Sequence, residues 1–126
     1  MSDWKPELTP SFSPSEMACK CGRCNGEAKM QHSFMEKLQA MRDLLGPLTI
    51  TSGYRCPEHP EEKRKKRPGA HGQGKAADIL VKSSKERFNV AMGGHSVGMV
   101  GVGVANSFVH VDDGHAHAGR PAMWKY

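Results

Sequence analysis

The sequence predicts an α+β domain, a small antiparallel sheet that carries a metal site on one face and is flanked by helices. Three observations predict it. Short β-branched or alternating runs at 48–52, 79–81 and 108–112 read as strands. Longer segments opening on serine, with apolar residues at helical spacing, read as helices between them. Finally, His71, Asp78 and His110 fall in or beside the strands. Three protein ligands with the fourth position left to water is the pattern of a catalytic zinc, which accepts mixed nitrogen and oxygen donors. Calcium or magnesium would ask for more oxygens.

Taken in order, residues 1–11 are polar and proline-bearing and read as a tether, leaving 12–126 as one domain with one core. Ser13-Pro14-Ser15-Glu16 has the N-cap serine, first-turn proline and N3 glutamate of a capping box, so a short helix should follow. Cys19, Cys21, Cys24 and Cys56 leave three readings open: a second, structural metal, one disulfide to Cys56, or four reduced thiols. The tight Cys19-x-Cys21 spacing disfavours the metal. Ser33-Phe34-Met35-Glu36 looks like a second capping box. Phe34, Leu38, Met41 and Leu45 then form one apolar stripe that Gly46-Pro47 ends.

The strand at 48–52 delivers Gly53-Tyr54-Arg55 at its end, where loops tend to carry function. An arginine there suits bidentate recognition of a substrate carboxylate, or pairs with a nearby acid. Residues 57–68 read as a loop ending in Lys63-Arg64-Lys65-Lys66-Arg67. Five cations permit a nucleic-acid patch, but a solvated loop steering encounter with an anionic surface fits better. The formal net charge of +5 points the same way.

His71 should sit on a loop whose Gly72 and Gly74 carry the backbone closely past the metal, because this stretch cannot hold a stable helix. Asp78 opens the apolar run 79–81 on a strand. Ser83–Glu86 begins a capped helix that Gly93-Gly94 should end, with Phe88 and Met92 packed on the sheet. Gly98, Gly101 and Gly103 interleave with valines in a strand that turns at Asn106-Ser107 and returns along 108–112. Alternation puts Phe108, His110 and Asp112 on one face and Val109 and Val111 on the other. Asp112 is thereby the expected general base. His115 and His117 follow it as further candidates for proton transfer.

The pattern His71-x-x-Gly74-x-Ala76-x-Asp78, the later Phe108-Val109-His110-Val111-Asp112, the upstream Ser52-Gly53-Tyr54-Arg55 and the terminal Trp124 resemble one known group. This is the zinc D-Ala-D-Ala carboxypeptidases and murein endopeptidases, whose DD-peptidase fold is shared with the amino-terminal domain of Hedgehog. The resemblance runs from about Phe12 to the end. It implies zinc held by His71, Asp78 and His110, with Arg55, Tyr54 and Trp124 at the substrate. It also implies a monomeric peptidoglycan hydrolase that cuts a peptide bond in the murein stem or cross-link. The alternative it allows is a non-catalytic zinc-bearing binding or virion module of the same fold. Gly69 stands where the family usually has serine, and Ser107 where the carboxypeptidase branch tends to have an acid. His110, Asp112 and Gly114 fit the other branch. No apolar run approaches a bilayer-spanning length, and the first residues lack the basic and apolar parts of a secretory signal. The expectation is a bacteriophage member made in the cytoplasm, reaching the wall through a holin or inside a virion.

Overall fold

The computed structural model describes residues 2–65, 68–114 and 119–126. A 3₁₀ turn, Pro6–Leu8, precedes α1 (Pro14–Met17), α2 (His32–Leu45), β1 (Ile50–Ser52), α3 (Pro60–Lys63) and β2 (Ala76–Leu80). These are followed by α4 (Ser84–Ser96), β3 (Gly101–Val104), β4 (Phe108–Asp112) and β5 (Ala122–Lys125). The strands form one sheet in the order β1-β2-β4-β3-β5. The expected antiparallel arrangement holds from β1 to β3, while β5 pairs parallel to β3. The reason is topological. Both edges of β4 are already occupied, and the returning chain pairs with the free edge of β3. A strand that reverses from β4 then runs alongside β3 in the same direction.

The alternation in β4 divides the sheet as expected. Val109 and Val111 are fully buried with Ala77 and Ile79 in the core, to which α2 contributes Phe34, Met35, Leu38 and Met41. Helix α4 packs on β3, β4 and α2, but not through the residues the sequence suggests. Gly93 and Gly94 do not end it; they are its contact surface. A Cβ on Gly94 would come 2.8 Å from Val111 Cγ1, and one on Gly93 2.7 Å from Leu45 Cδ1. Val90 and Ala91 complete the buried face, while Phe88 and Met92 point outward, 64% and 39% exposed. Helix–sheet proximity therefore outweighs the low helix propensity of glycine.

The capping box at Ser13–Glu16 forms in full. The one expected at Ser33 does not, because α2 begins a residue earlier. Its first amide, that of His32, is capped instead by the Asp3 carboxylate at 2.8 Å. Ser2 Oγ also donates to the Met30 carbonyl, and Trp4 Nε1 to Thr9 Oγ1 at 2.8 Å, with Thr9 fully buried. The segment expected to be a tether is thus laid against the domain. The loop expected at 57–68 contains α3, which His59 caps through its ring nitrogen, with Pro60 in the first turn. Within the cationic run, Lys65 pairs with Glu62 at 2.7 Å, Arg64 with Glu61, and Lys63 approaches Glu58 at 4.0 Å. These three cations are compensated locally; Lys66 and Arg67 lie outside the described residues. Among the described residues no helix is long and apolar enough to cross a membrane.

Candidate metal centre

Asp78 occupies the middle of β2 and stands in register with His110 on β4. The same row continues to Gly103 on β3 and Trp124 on β5. His71 arrives from the turn before β2, so the three expected ligands come together on the face opposite the core. All three are buried. His71 Nε2 lies 3.3 Å and His110 Nδ1 3.1 Å from the same oxygen, Asp78 Oδ1. One donor atom from each residue falls within 4.8 Å of the other two.

These distances fit zinc. Bonds of about 2.0–2.1 Å to nitrogen and oxygen, set tetrahedrally, separate the donors by about 3.3 Å. The hydrogen bonds on the far side of each ring add a chemical reason. His71 Nδ1 meets the Gly53 carbonyl at 2.7 Å. A carbonyl only accepts, so Nδ1 carries the proton, and the neutral ring turns the lone pair of Nε2 toward a carboxylate. His110 repeats the arrangement with its nitrogens exchanged. Its Nε2 lies 2.6 Å from Asp112 Oδ2, leaving Nδ1 for Asp78. A ring nitrogen that faces an anionic oxygen either donates to it or, unprotonated, can share a cation with it, and such outer partners are what orient ligand histidines.

The protonation tendencies follow the same geometry. Burial lowers the pKa of the His71 imidazole, against the opposing pull of Asp78. Burial also disfavours charge on Asp78, but hydrogen bonds to His110 and His71 outweigh it and hold the carboxyl well below the usual range. For His110 the two carboxylates overcome burial and raise its pKa.

Asp112, expected as the general base, lies beneath His110 and not at the cleft surface. It is fully buried, and its oxygens are engaged by His110, by Arg120 Nε and Nη2 at 2.8 and 2.6 Å, and by the Gly114 amide at 3.0 Å. Burial opposes its ionisation, yet Arg120 and His110 hold its carboxyl well below the ordinary value. Asp112 is absent from the residues that line the cleft. Two glycines make room for this arrangement. A Cβ on Gly101 would overlap Asp112 Oδ1 and Arg120 Nε, and one on Gly103 would lie 2.5 Å from Trp124 Nε1. By contrast, Gly72 and Gly74 serve other contacts than the expected metal approach. A Cβ on Gly72 would strike Glu62, and Gly74, at φ +73°, lies against the Lys29 carbonyl.

His71, Asp78 and His110 lie at the wall of a cleft of about 670 Å³. Arg55, Lys65 and Arg120 supply cationic groups to it, and Phe108, Trp124 and Tyr126 line its aromatic side. The Trp124 ring lies 5.2 Å from that of His110 and beneath the Arg120 guanidinium at 4.6 Å. Arg55 Nη2 reaches Asp78 Oδ2 only at 3.5 Å, and its buried Nε has no hydrogen-bond partner among the described residues. Tyr54, expected at the substrate, is buried in the core cluster and is absent from the cleft lining. The alternation of a Tyr-Arg pair sends one side chain inward when the other faces out. Glu61 and Glu62 were not anticipated. Glu61 lines the cleft, while Glu62 is buried and accepts from Lys65 Nζ and, at 2.9 Å, from the Gly69 amide. His59-Pro60-Glu61-Glu62 is a helix-start pattern that could have located them. Ser107, at the position of the missing acid, is exposed in the β3–β4 turn, where its carbonyl accepts from Val81. His115 and His117 lie outside the described residues.

The four cysteines, left open by the sequence, also converge. No disulfide joins them, and their sulfurs lie within 4.8 Å of one another.

A family model described as Peptidase M15 matches residues 10–112. No curated protein matches the chain.

Proposed function

The chain belongs to the peptidase M15 family, a family of zinc metallopeptidases, and from that premise we propose that it is a peptidoglycan hydrolase cutting a peptide bond in the murein stem or cross-link. The observation that carries this reading is the convergence of His71 Nε2, Asp78 Oδ1 and His110 Nδ1 at the wall of an open cleft. Zinc held by these three residues would supply Lewis acidity toward a scissile carbonyl.

The chain's own residues do the rest. Gly53 and Asp112 fix the tautomers of the two histidines, so each ring presents its unprotonated nitrogen. Arg55, with Nε unpartnered and Nη2 weakly held, is free to bind a substrate carboxylate of the kind that stem peptides carry in abundance. Trp124 gives a flat apolar wall against which the peptide lies, held in place by the stacked Arg120. With Asp112 occupied as a positioning residue, proton transfer passes to His115 or His117. Both follow Gly114, which lines the cleft.

Mass spectrometry of fragments released from purified sacculi tests this function. New amino and carboxyl termini within the stem or cross-link would support it and identify the bond. Zinc-loaded protein that releases no fragment would instead indicate a non-catalytic module of the same fold. Substituting His115 or His117 by alanine should remove one limb of the pH–rate profile while zinc content stays constant. If neither variant changes the profile, the proton-transfer assignment fails.

A further inference from the structure

We propose that Cys19, Cys21, Cys24 and Cys56 hold a second, structural zinc ion, which ties the amino-terminal segment to the loop carrying Arg55. Residues 18–31 form no helix or strand, although they run through the domain between α1 and α2. Connections of this length without regular structure are uncommon in compact domains unless something else secures them. Cys19, Cys21 and Cys24 lie within this segment. Their partner, Cys56, is distant in sequence and directly follows Arg55.

The sulfur geometry is that of a metal site. Cys21 Sγ lies 3.7 Å from Cys24 Sγ and 3.4 Å from Cys56 Sγ. A disulfide would bring two sulfurs to about 2.05 Å. Four thiolates around zinc at about 2.3 Å sit about 3.8 Å apart along the tetrahedron's edges. The observed separations lie a little below that value and far above the disulfide value. The tight Cys19-x-Cys21 spacing is accommodated by the backbone. Gly22 and Gly26 adopt φ of +77° and +69°, and the Cys19 amide bonds the Glu27 carbonyl at 2.7 Å, folding the segment back on itself.

Two backbone amides point at the sulfurs. Arg23 N–H donates to Cys21 Sγ at 3.2 Å, and Cys56 N–H to Cys19 Sγ at 3.3 Å. Such donors favour the thiolate form that a metal requires, and ion binding would release the thiol protons to solvent. Cys19 and Cys56 are buried and the other two half-buried, so four protein ligands close the site. Closure marks a structural ion, in contrast to the three-ligand centre in the cleft. The same segment runs on to Lys29 and Gln31, whose backbones abut Gly74 in the His71 turn. The ion would therefore hold two walls of the cleft, through Arg55 and through the His71 turn.

Elemental analysis of the full chain, purified under reducing conditions, tests the proposal. Wild type should contain about two equivalents of zinc, Cys24→Ser about one, and His71→Ala about one. The double variant should contain none. Exchange with cobalt(II) should give sulfur-to-cobalt charge-transfer absorption that survives His71→Ala and disappears in Cys24→Ser. A single equivalent in wild type that disappears with His71→Ala would overturn the proposal. So would four thiols that react freely with a thiol reagent in the native protein. If Cys24→Ser does not fold, Cys24→His restores a fourth ligand. That variant should keep both equivalents with weaker charge transfer, and one equivalent with native folding would again refute the site. Because every readout is metal content, a spectrum or thiol reactivity and none is hydrolysis, failure here leaves the hydrolase assignment untouched, and the reverse also holds.

Discussion

Replacing Asp112 with asparagine separates the two roles its position allows. The carboxylate accepts from His110 Nε2, Arg120 Nε, Arg120 Nη2 and the Gly114 amide. An amide offers one accepting oxygen, so whichever way it turns, its NH₂ faces donors on one side. The Arg120 cation also loses the Asp112 charge. Breaking a buried ion pair from one side costs about 3–5 kcal/mol. Arg120 keeps 16% side-chain exposure and a cation–π contact with Trp124, which places the expected loss near the lower end, about 3 kcal/mol. His110 loses its orienting acceptor, so zinc affinity should fall by about 10–100-fold. Denaturant unfolding reads the first quantity, and competition against a chromophoric chelator the second. With zinc saturating, kcat should recover to within about tenfold of wild type, whereas loss of a general base would lower it by about 10²–10⁴. Unchanged zinc affinity together with a collapsed kcat at saturating zinc would refute the positioning role and restore Asp112 as the base.

Arg55→Gln should raise KM for stem peptides by about 10–150-fold, the loss of about 1.5–3 kcal/mol from a charged hydrogen bond, while zinc content stays constant. Loss of zinc at unchanged KM would show instead that Arg55 serves Asp78. Gly101→Ala should destabilise the fold by about 1–3 kcal/mol, because its methyl group overlaps the Asp112–Arg120 pair. Urea denaturation checks it, and a neutral effect would mean the pair has room to shift. Glu62 is buried, which opposes its charge, yet Lys65 and the Gly69 amide lower its pKa below the ordinary value. A depressed carboxyl contributes stability that is present above its unfolded pKa and lost as pH falls through the folded one. The stability difference between wild type and Glu62→Gln should therefore be full at neutral pH and shrink below about pH 4.5. A difference independent of pH would mean that the packing of Glu62 matters and its charge does not.

Local signals reached the parts of this protein that local physics controls. The Ser13–Glu16 capping box, the apolar stripe of α2 and the alternation in β4 each concern neighbours within a few residues, and each formed as the chain implies. The convergence of His71, Asp78 and His110 was legible for a related reason. Asp78 and His110 lie inside apolar strands, where an unpaired charge is costly, so their presence there already signalled a site.

Where a partner came from elsewhere in the chain, the outcome was decided by tertiary structure. Helix α2 takes its cap from Asp3, not from Ser33, because the amino-terminal segment folds across its start. Gly93 and Gly94 look like a helix terminus until Val111 and Leu45 are placed against them. Asp112 points to the His110 face as its alternation requires, but only the return of the chain through Arg120 brings a guanidinium onto its oxygens. The four sulfurs likewise meet only because Cys56 follows β1 while the other three follow α1, and β1 and α1 pack together. Residue type and spacing thus determined the chemistry available to this protein. Which group performs each task was decided by long-range contacts, because charge, burial and hydrogen-bond occupancy depend on residues distant in sequence.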